Sequence, residues 1–124
     1  MEFKEATPGA LTLISGYGEG GFRIAGVRHE GHLLICPAAH FPWPVTDPGN
    51  MLKTSFNSLF SKHISIEFLL VGIGREAPEA AALAQRLSAE LKVPVEVMTT
   101  GAGVRTYNVL ALEGRRVGAA LLAV

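Results

Sequence analysis

The run Ile64–Met98, ISIEFLLVGIGREAPEAAALAQRLSAELKVPVEVM, decides the fold class. Its first ten residues, Ile64–Ile73, are β-branched and apolar with one charge, the pattern of a strand buried on both faces. Gly72-Ile73-Gly74-Arg75 ends that strand. Pro78 then opens a helix as its first residue, with Glu79 beside it at the positive end of the helix dipole. Ala80, Leu83, Ala84, Leu87 and Leu91 recur at helical spacing and form the core stripe, while Gln85, Arg86, Ser88 and Glu90 face outward. Lys92-Val93-Pro94 breaks the helix, and Val95–Met98 is a second, short strand. Strand, helix, strand in this order predicts a parallel pair with a right-handed crossover.

Immediately downstream, Thr99-Thr100-Gly101-Ala102-Gly103 sits at the carboxyl end of that second strand and opens another helix, with Thr100 or Thr99 as its N-cap. Glycine costs up to about 1 kcal/mol against alanine inside a helix, and two stand here two residues apart. Without side chains they let another group approach the free N–H groups of the first turn, where partial positive charge favours anions. Arg105 lies near the same end and is unfavourable there unless a carboxylate or an anion compensates it. Arg105 and Asn108 are three apart and share one helix face, while Gly103, Tyr107 and Leu110 line another. The turn at Gly72–Arg75 closes the neighbouring strand, so both turns open at one sheet edge, where open α/β sheets bind ligands. The candidate pocket is Gly72, Gly74, Arg75, Thr99, Thr100, Gly101, Arg105 and Asn108. The competing reading is that the glycines serve close packing and Arg105 pairs with Glu113, Glu96 or Glu67. Beyond the helix, Val117–Val124 is apolar at every position, so both its faces should be covered.

Upstream, residues 10–15 read as a strand ended by Gly16-Tyr17-Gly18-Glu19-Gly20-Gly21. This glycine run lacks GxxxxGK[ST] and does not open onto a helix, so it is not a phosphate loop. Phe22–Val27 and His32–Cys36 alternate and pair as a hairpin turning near His29-Glu30-Gly31. Pro37–Val45 carries three prolines and is confined to an edge or connecting segment, with Phe41 and Trp43 on one side. Asp47-Pro48-Gly49-Asn50 is a turn. Asn50 or Asp47 caps a helix over about 51–62, with Leu52, Phe56, Leu59 and Phe60 on its apolar face.

Composition bounds the rest. The 124 residues fit one domain, 1–124, with one substantial core. Hydrophobic residues make up 48% and charged residues 18%, with mean hydropathy +0.30, which points to strands buried on both faces or to a covered apolar surface. Eleven basic residues balance eleven acidic ones, so no global field favours nucleic acid. Cys36 is the sole cysteine, which excludes an internal disulfide and a two-cysteine metal knuckle, and it reads as a small core residue rather than a nucleophile. His29, His32, His40 and His63 show no zinc-binding spacing. GxSxG and paired carboxylates are absent, so no catalytic residue, metal or cofactor is assigned. The beginning of the sequence lacks a secretory signal, and no apolar run reaches the roughly 20 residues a membrane span needs. A cytoplasmic location is the expectation.

Two signatures give the sequence a family likeness. One is Tyr17-Gly18-Glu19-Gly20-Gly21-Phe22-Arg23-Ile24, followed by the strand from Gly31 to Pro37 and by Trp43. The more specific is Glu96-Val97-Met98, Thr100-Gly101-Ala102, Arg105-Thr106-Tyr107-Asn108-Val109-Leu110 and Glu113-Gly114-Arg115-Arg116-Val117, together with Gly72-Ile73-Gly74. Along nearly its whole length the chain resembles the Mth-domain family of unknown function, which is related to the mitochondrial complex I assembly factor 3 family and to adipogenesis-associated Mth-domain proteins. Thr99 stands where that family commonly has aspartate, Gly103 where it has alanine, Val104 where cysteine is frequent and Ile73 where threonine is typical. Chemistry resting on that acid or thiol would be missing here. The resemblance implies a three-layer α/β domain with a central mixed β-sheet, flanking helices and a small N-terminal β-hairpin layer. It implies no established enzyme activity, and for the eukaryotic relatives it implies protein partners in assembly. The expected role is a binding or assembly-factor-type domain that takes a protein partner or a small anionic ligand at Thr99–Asn108. One alternative is a small-molecule enzyme using the same pocket with Tyr107 or Thr99 as a polar participant. Another is a homo-oligomer joined through Phe41 and Trp43 or the glycine loop.

Overall fold

The computed structural model describes residues 11–45 and 51–124. Strands β1 (Ile14–Gly18), β2 (Gly21–Ile24) and β3 (Val27–Glu30) form an antiparallel three-stranded sheet. Strands β4 (Leu33–Cys36), β5 (Ala39–Pro42), β6 (Phe68–Gly72), β7 (Val95–Met98) and β8 (Val117–Leu121) form a five-stranded sheet in the order β5-β4-β8-β6-β7. The β7–β6–β8 part is parallel, and β8–β4–β5 is antiparallel, so the sheet is mixed. Helix α1 (Ala80–Leu91) links β6 to β7, helix α2 (Thr100–Leu112) links β7 to β8, and a 3₁₀ helix spans Lys53–Phe60.

The pleat divides the apolar strands between two cores. Leu34, Cys36, Leu69, Val71, Val97, Ala120 and Leu122 face one side, where Leu87 of α1 and Phe56 and Leu59 of the 3₁₀ helix cover them. Leu33, Ile35, Leu70, Val117, Ala119 and Leu121 face the other, against Val104, Tyr107 and Ala111 of α2 and Ile14, Phe22 and Ile24 of the small sheet. Both faces of the central strands are therefore covered, and the three-layer α/β arrangement expected from the sequence is present. Truncating a residue such as Leu70 should cost about 2–5 kcal/mol.

Several local expectations need correction. The hairpin partner of β2 is β3 rather than His32–Cys36, and its turn is Ala25-Gly26, both with left-handed backbone, φ 53° and 81°. Leu33–Cys36 instead enters the main sheet, buried at every position. The glycine run does not end β1, because Gly16 and Gly18 lie within it and only Glu19-Gly20 turns. The strand expected over 64–73 begins at Phe68, after an approach whose Ile64 and Ile66 pack into the first core. Helix α1 starts at Ala80, two residues after Pro78, because Glu79 between them is left-handed at φ 55° and stands outside the helix as its N-cap. Ser88 does not simply face outward, for its hydroxyl accepts the Val95 N–H at 3.0 Å. The helix expected over 51–62 is 3₁₀ and lacks a side-chain cap, with the Ser55 hydroxyl turned back onto the Leu52 carbonyl at 2.7 Å. Leu52 is exposed rather than on the apolar face, and the expected turn and caps at 47–50 lie outside the described residues. Pro37–Val45 does supply an edge strand, β5. Trp43 is only 3% exposed, its ring 5.4 Å from Phe56, so it fills this chain's own core and is not offered to a second copy.

Candidate functional site

The carboxyl ends of β6 and β7 meet the start of α2, and backbone bonds lock them together. The Ile73 N–H donates to the Met98 carbonyl at 3.0 Å, and the Leu122 N–H to the Gly72 carbonyl at 2.8 Å. Thr99 caps α2, its extended backbone letting the side-chain oxygen accept the Ala102 N–H at 3.2 Å. Thr100 is wholly buried. Its hydroxyl donates to the Leu122 carbonyl at 2.7 Å and accepts the Gly74 N–H at 3.0 Å, while its own N–H donates to the Gly74 carbonyl at 2.8 Å. One threonine thus ties the end of β8, the turn after β6 and the start of α2.

Over this junction lies a polar cleft of about 260 Å³, lined by Tyr17, Gly74, Arg75, Thr99, Gly101, Arg105 and Val124. Gly74 takes φ +113°, a conformation that side chains rarely adopt, and so turns the chain toward Arg75. A Cβ on Gly101 would stand 2.5 Å from the Tyr17 hydroxyl and 3.4 Å from Arg105 Nη1. Glycine at 101 is therefore what lets the tyrosine and the arginine close over the first turn of α2. Tyr17 comes from the small sheet, positioned by the Gly20 N–H donating to the Val124 carbonyl at 2.8 Å. The first turn of α2 holds no acidic residue. Two guanidinium groups thus share a cleft with the positive end of a helix dipole, and no acidic side chain lines it. Arg105 is exposed, and it has no ion-pair partner among the described residues, so the expected alternatives of Glu113, Glu96 and Glu67 do not hold it. Glu67 pairs with Arg115 and Arg116 instead.

Five of the eight residues singled out from the sequence, Gly74, Arg75, Thr99, Gly101 and Arg105, line this cleft together. Gly72, Thr100 and Asn108 do not. A Cβ on Gly72 would meet Leu121 Cδ2 at 2.8 Å and the Thr100 Cα at 2.9 Å, so that glycine serves close packing of α2 on the sheet. Gly103 makes room for the same leucine methyl at 2.8 Å. The polar atoms of Thr100 are used within the chain. Asn108 turns toward β1, where its Oδ1 accepts the Ile14 N–H at 3.0 Å and its Nδ2 donates to the Ile14 carbonyl at 2.8 Å. The expected sharing of a face by Arg105 and Asn108 therefore gives no joint site. Tyr107 is likewise outside the cleft. Its hydroxyl donates to the Thr12 carbonyl at 2.7 Å, and burial pushes its pKa far up, so it holds its proton rather than exchanging it. Tyr17 and Val124 are the lining residues outside the set read from the sequence, and the signal at Tyr17 was its place within the glycine run, at the head of the first family signature.

Among the described residues no group of three or more His, Cys, Asp or Glu side chains is placed to hold a metal, and no helix is long and apolar enough to cross a membrane.

Comparison with known proteins extends these observations. The family model described as protein of unknown function (DUF498/DUF598) matches residues 14–122. An uncharacterized protein of Rhodobacter capsulatus is 44% identical over 117 residues, covering 92% of this chain and 86% of that protein. NADH dehydrogenase [ubiquinone] 1 alpha subcomplex assembly factor 3 of Mus musculus is 29% identical over 109 residues, covering 88% of this chain but 59% of its own length. The solution structure of a Mth938-like domain from Bordetella pertussis superposes with a TM-score of 0.71 at 28% identity, covering 99% of this chain and 91% of that one. The chain accordingly belongs to the DUF498/DUF598 family of proteins of unknown function, with NADH dehydrogenase assembly factor 3 among its relatives and Mth938-like domains among its structural neighbours.

Proposed function

We propose that this chain is a non-enzymatic binding domain of assembly-factor type, acting in the cytoplasm, whose cleft takes an acidic group from a protein partner or a small anionic ligand. The observation that carries this reading is the pair Arg75 and Arg105 in a cleft without an acidic side chain, set against the positive end of α2. A carboxylate or phosphate there would accept from guanidinium donors, the Tyr17 hydroxyl and the Gly101 N–H, since the N–H groups of Thr100, Ala102 and Gly103 are bonded within the chain, and would relieve the repulsion among the positive groups. The assembly-factor relatives favour a protein partner as the source of that acid. Thr99 acts as a helix cap and the Tyr107 hydroxyl is spent on Thr12, so neither polar participant named for the enzymatic alternative is free in this cleft.

The test is affinity capture from the native cell with wild type and Arg105→Ala in parallel, alongside a titration with inorganic phosphate followed by amide shifts. Loss of specific partners in the variant, together with wild-type phosphate shifts centred on Gly74–Arg75 and Gly101–Arg105, is expected. Identical partner sets and a phosphate response unchanged by the substitution would remove Arg105 from the site.

A further inference from the structure

A second cavity of about 260 Å³ opens at the opposite edge of the main sheet, where β6 and β8 begin and β4 ends. It is built differently from the polar cleft. Its lining is mostly apolar and includes Cys36, Pro37, Ile64, Ile66 and Ala111, and no acidic side chain contributes to it. Its charged lining residues are Arg115 and Arg116, with His63 nearby in the same wall. Both arginines lean on one carboxylate. Arg115 Nε is 3.1 Å from Glu67 Oε1, and Arg116 Nη2 is 3.4 Å from Glu67 Oε2. Two guanidinium groups sharing one carboxylate leave one positive charge in excess, on side chains that remain about half exposed. Arg115 is further held by its guanidinium carbon lying 5.3 Å from the centre of the Phe68 ring.

A cavity with apolar walls and one spare fixed positive charge is matched by a ligand with an aliphatic chain and a single negative head. We propose that this cavity binds a free fatty-acid anion of medium chain length, its chain against Ile64, Ile66 and Ala111 and its carboxylate on Arg115 and Arg116. The ligand carboxylate supplies the second acid that the two arginines lack. The apolar part of the wall accepts methylene groups, and the thiol of Cys36 presents there a small apolar surface. The site is independent of the Arg105 cleft, which lies at the other end of the same strands.

The experiment titrates the full chain with sodium octanoate and follows backbone amide shifts, with acetate and 1-octanol as comparators sharing only the head or only the chain. Octanoate is expected to give saturable shifts at 64–67 and 114–116. Acetate at the same concentration should give none there, and octanol should bind at least about tenfold more weakly. Arg116→Gln should weaken octanoate at least about fivefold. Glu67→Gln should tighten it, because the shared carboxylate no longer competes. Ala38→Trp, on an exposed residue of the lining, should block the cavity while leaving the remaining spectrum unchanged. Equal response to acetate, equal affinity for octanol, or weaker binding in Glu67→Gln would each overturn the proposal. So would octanoate shifts confined to Gly74 and Gly101–Arg105, a result that leaves the Arg105 cleft standing.

Discussion

Replacing Thr100 with valine preserves shape and removes only the hydroxyl, so it isolates the junction between β8, the turn after β6 and α2. The wild-type hydroxyl donates to the Leu122 carbonyl at 2.7 Å and accepts the Gly74 N–H at 3.0 Å. Valine leaves both without that partner. A stranded buried polar group costs about 1–3 kcal/mol. Gly74 is half-buried and its N–H can turn to water, so its share should fall near 1 kcal/mol, with about 1–2 kcal/mol for the deeper carbonyl. The added methyl returns roughly 0.8 kcal/mol of burial. The net expectation is a loss of about 1–2 kcal/mol, or roughly 4–8 °C in Tm for a chain of this size. Guanidinium unfolding followed by circular dichroism measures it as a lower midpoint at unchanged m. Thr100→Ser keeps the hydroxyl and loses a methyl, for about 1 kcal/mol. If valine proves no more costly than serine, the hydroxyl is not what holds the three segments together.

Other substitutions test separate features. Gly72→Ala puts a Cβ 2.8 Å from Leu121 Cδ2 and 2.9 Å from the Thr100 backbone, and should cost about 1–3 kcal/mol in urea unfolding. Wild-type stability there would mean that the sheet and α2 are not packed as closely as described. Ala25 is left-handed at φ 53°, so Ala25→Gly should stabilise by up to about 1 kcal/mol, and a destabilised variant would contradict that turn. Burial lowers the pKa values of His32 and His40, with the nearby His29 adding to the effect at His40, and His32 Nδ1 accepts the Ala123 N–H at 2.9 Å. In both cases the unfolded chain takes up a proton before the folded one does. Stability from these groups is therefore full above the ordinary imidazole value of 6.5 and falls as the pH drops below it. His32→Asn, which keeps an acceptor that does not titrate, should flatten the unfolding midpoint between about pH 7 and pH 5, and an unchanged slope would exclude His32 as its source.

The parallel pair and the start of α2 were legible because their signals are local. An apolar run such as Phe68–Gly72 and a threonine before two glycines carry their meaning within a few residues. The small sheet was harder. Gly31 is a stronger turn signal than Ala25, since alanine is a poor left-handed residue, and so the sequence puts the hairpin turn one strand too late, beyond β3. The fully apolar Leu33-Leu34-Ile35-Cys36 held the information that would have moved it into the main sheet, where both faces are buried. At the cleft, spacing located Arg75 and Arg105 because each follows a strand end by a few residues. It could not bring in Tyr17, which reaches Gly101 only through the docking of another sheet. Nor could it separate Thr99 from Thr100, or Asn108 from Arg105. Those assignments depend on partners at Leu122 and Ile14, far away along the chain.

The position of β8 has a consequence for how this chain acquires its structure during synthesis. β8 stands between β4 and β6, yet it is the latest of the described strands to leave the ribosome. Until Val117–Leu121 emerges, β5–β4 and β6–β7 are two ribbons with no common partner, each exposing an apolar edge. Pairing them closes long loops in a single late step, which slows folding and lengthens the interval in which those edges can meet a neighbouring nascent chain. A ribosome-stalled chain ending before Val117 should therefore be protease-sensitive throughout. One carrying β8 beyond the exit tunnel should become resistant all at once.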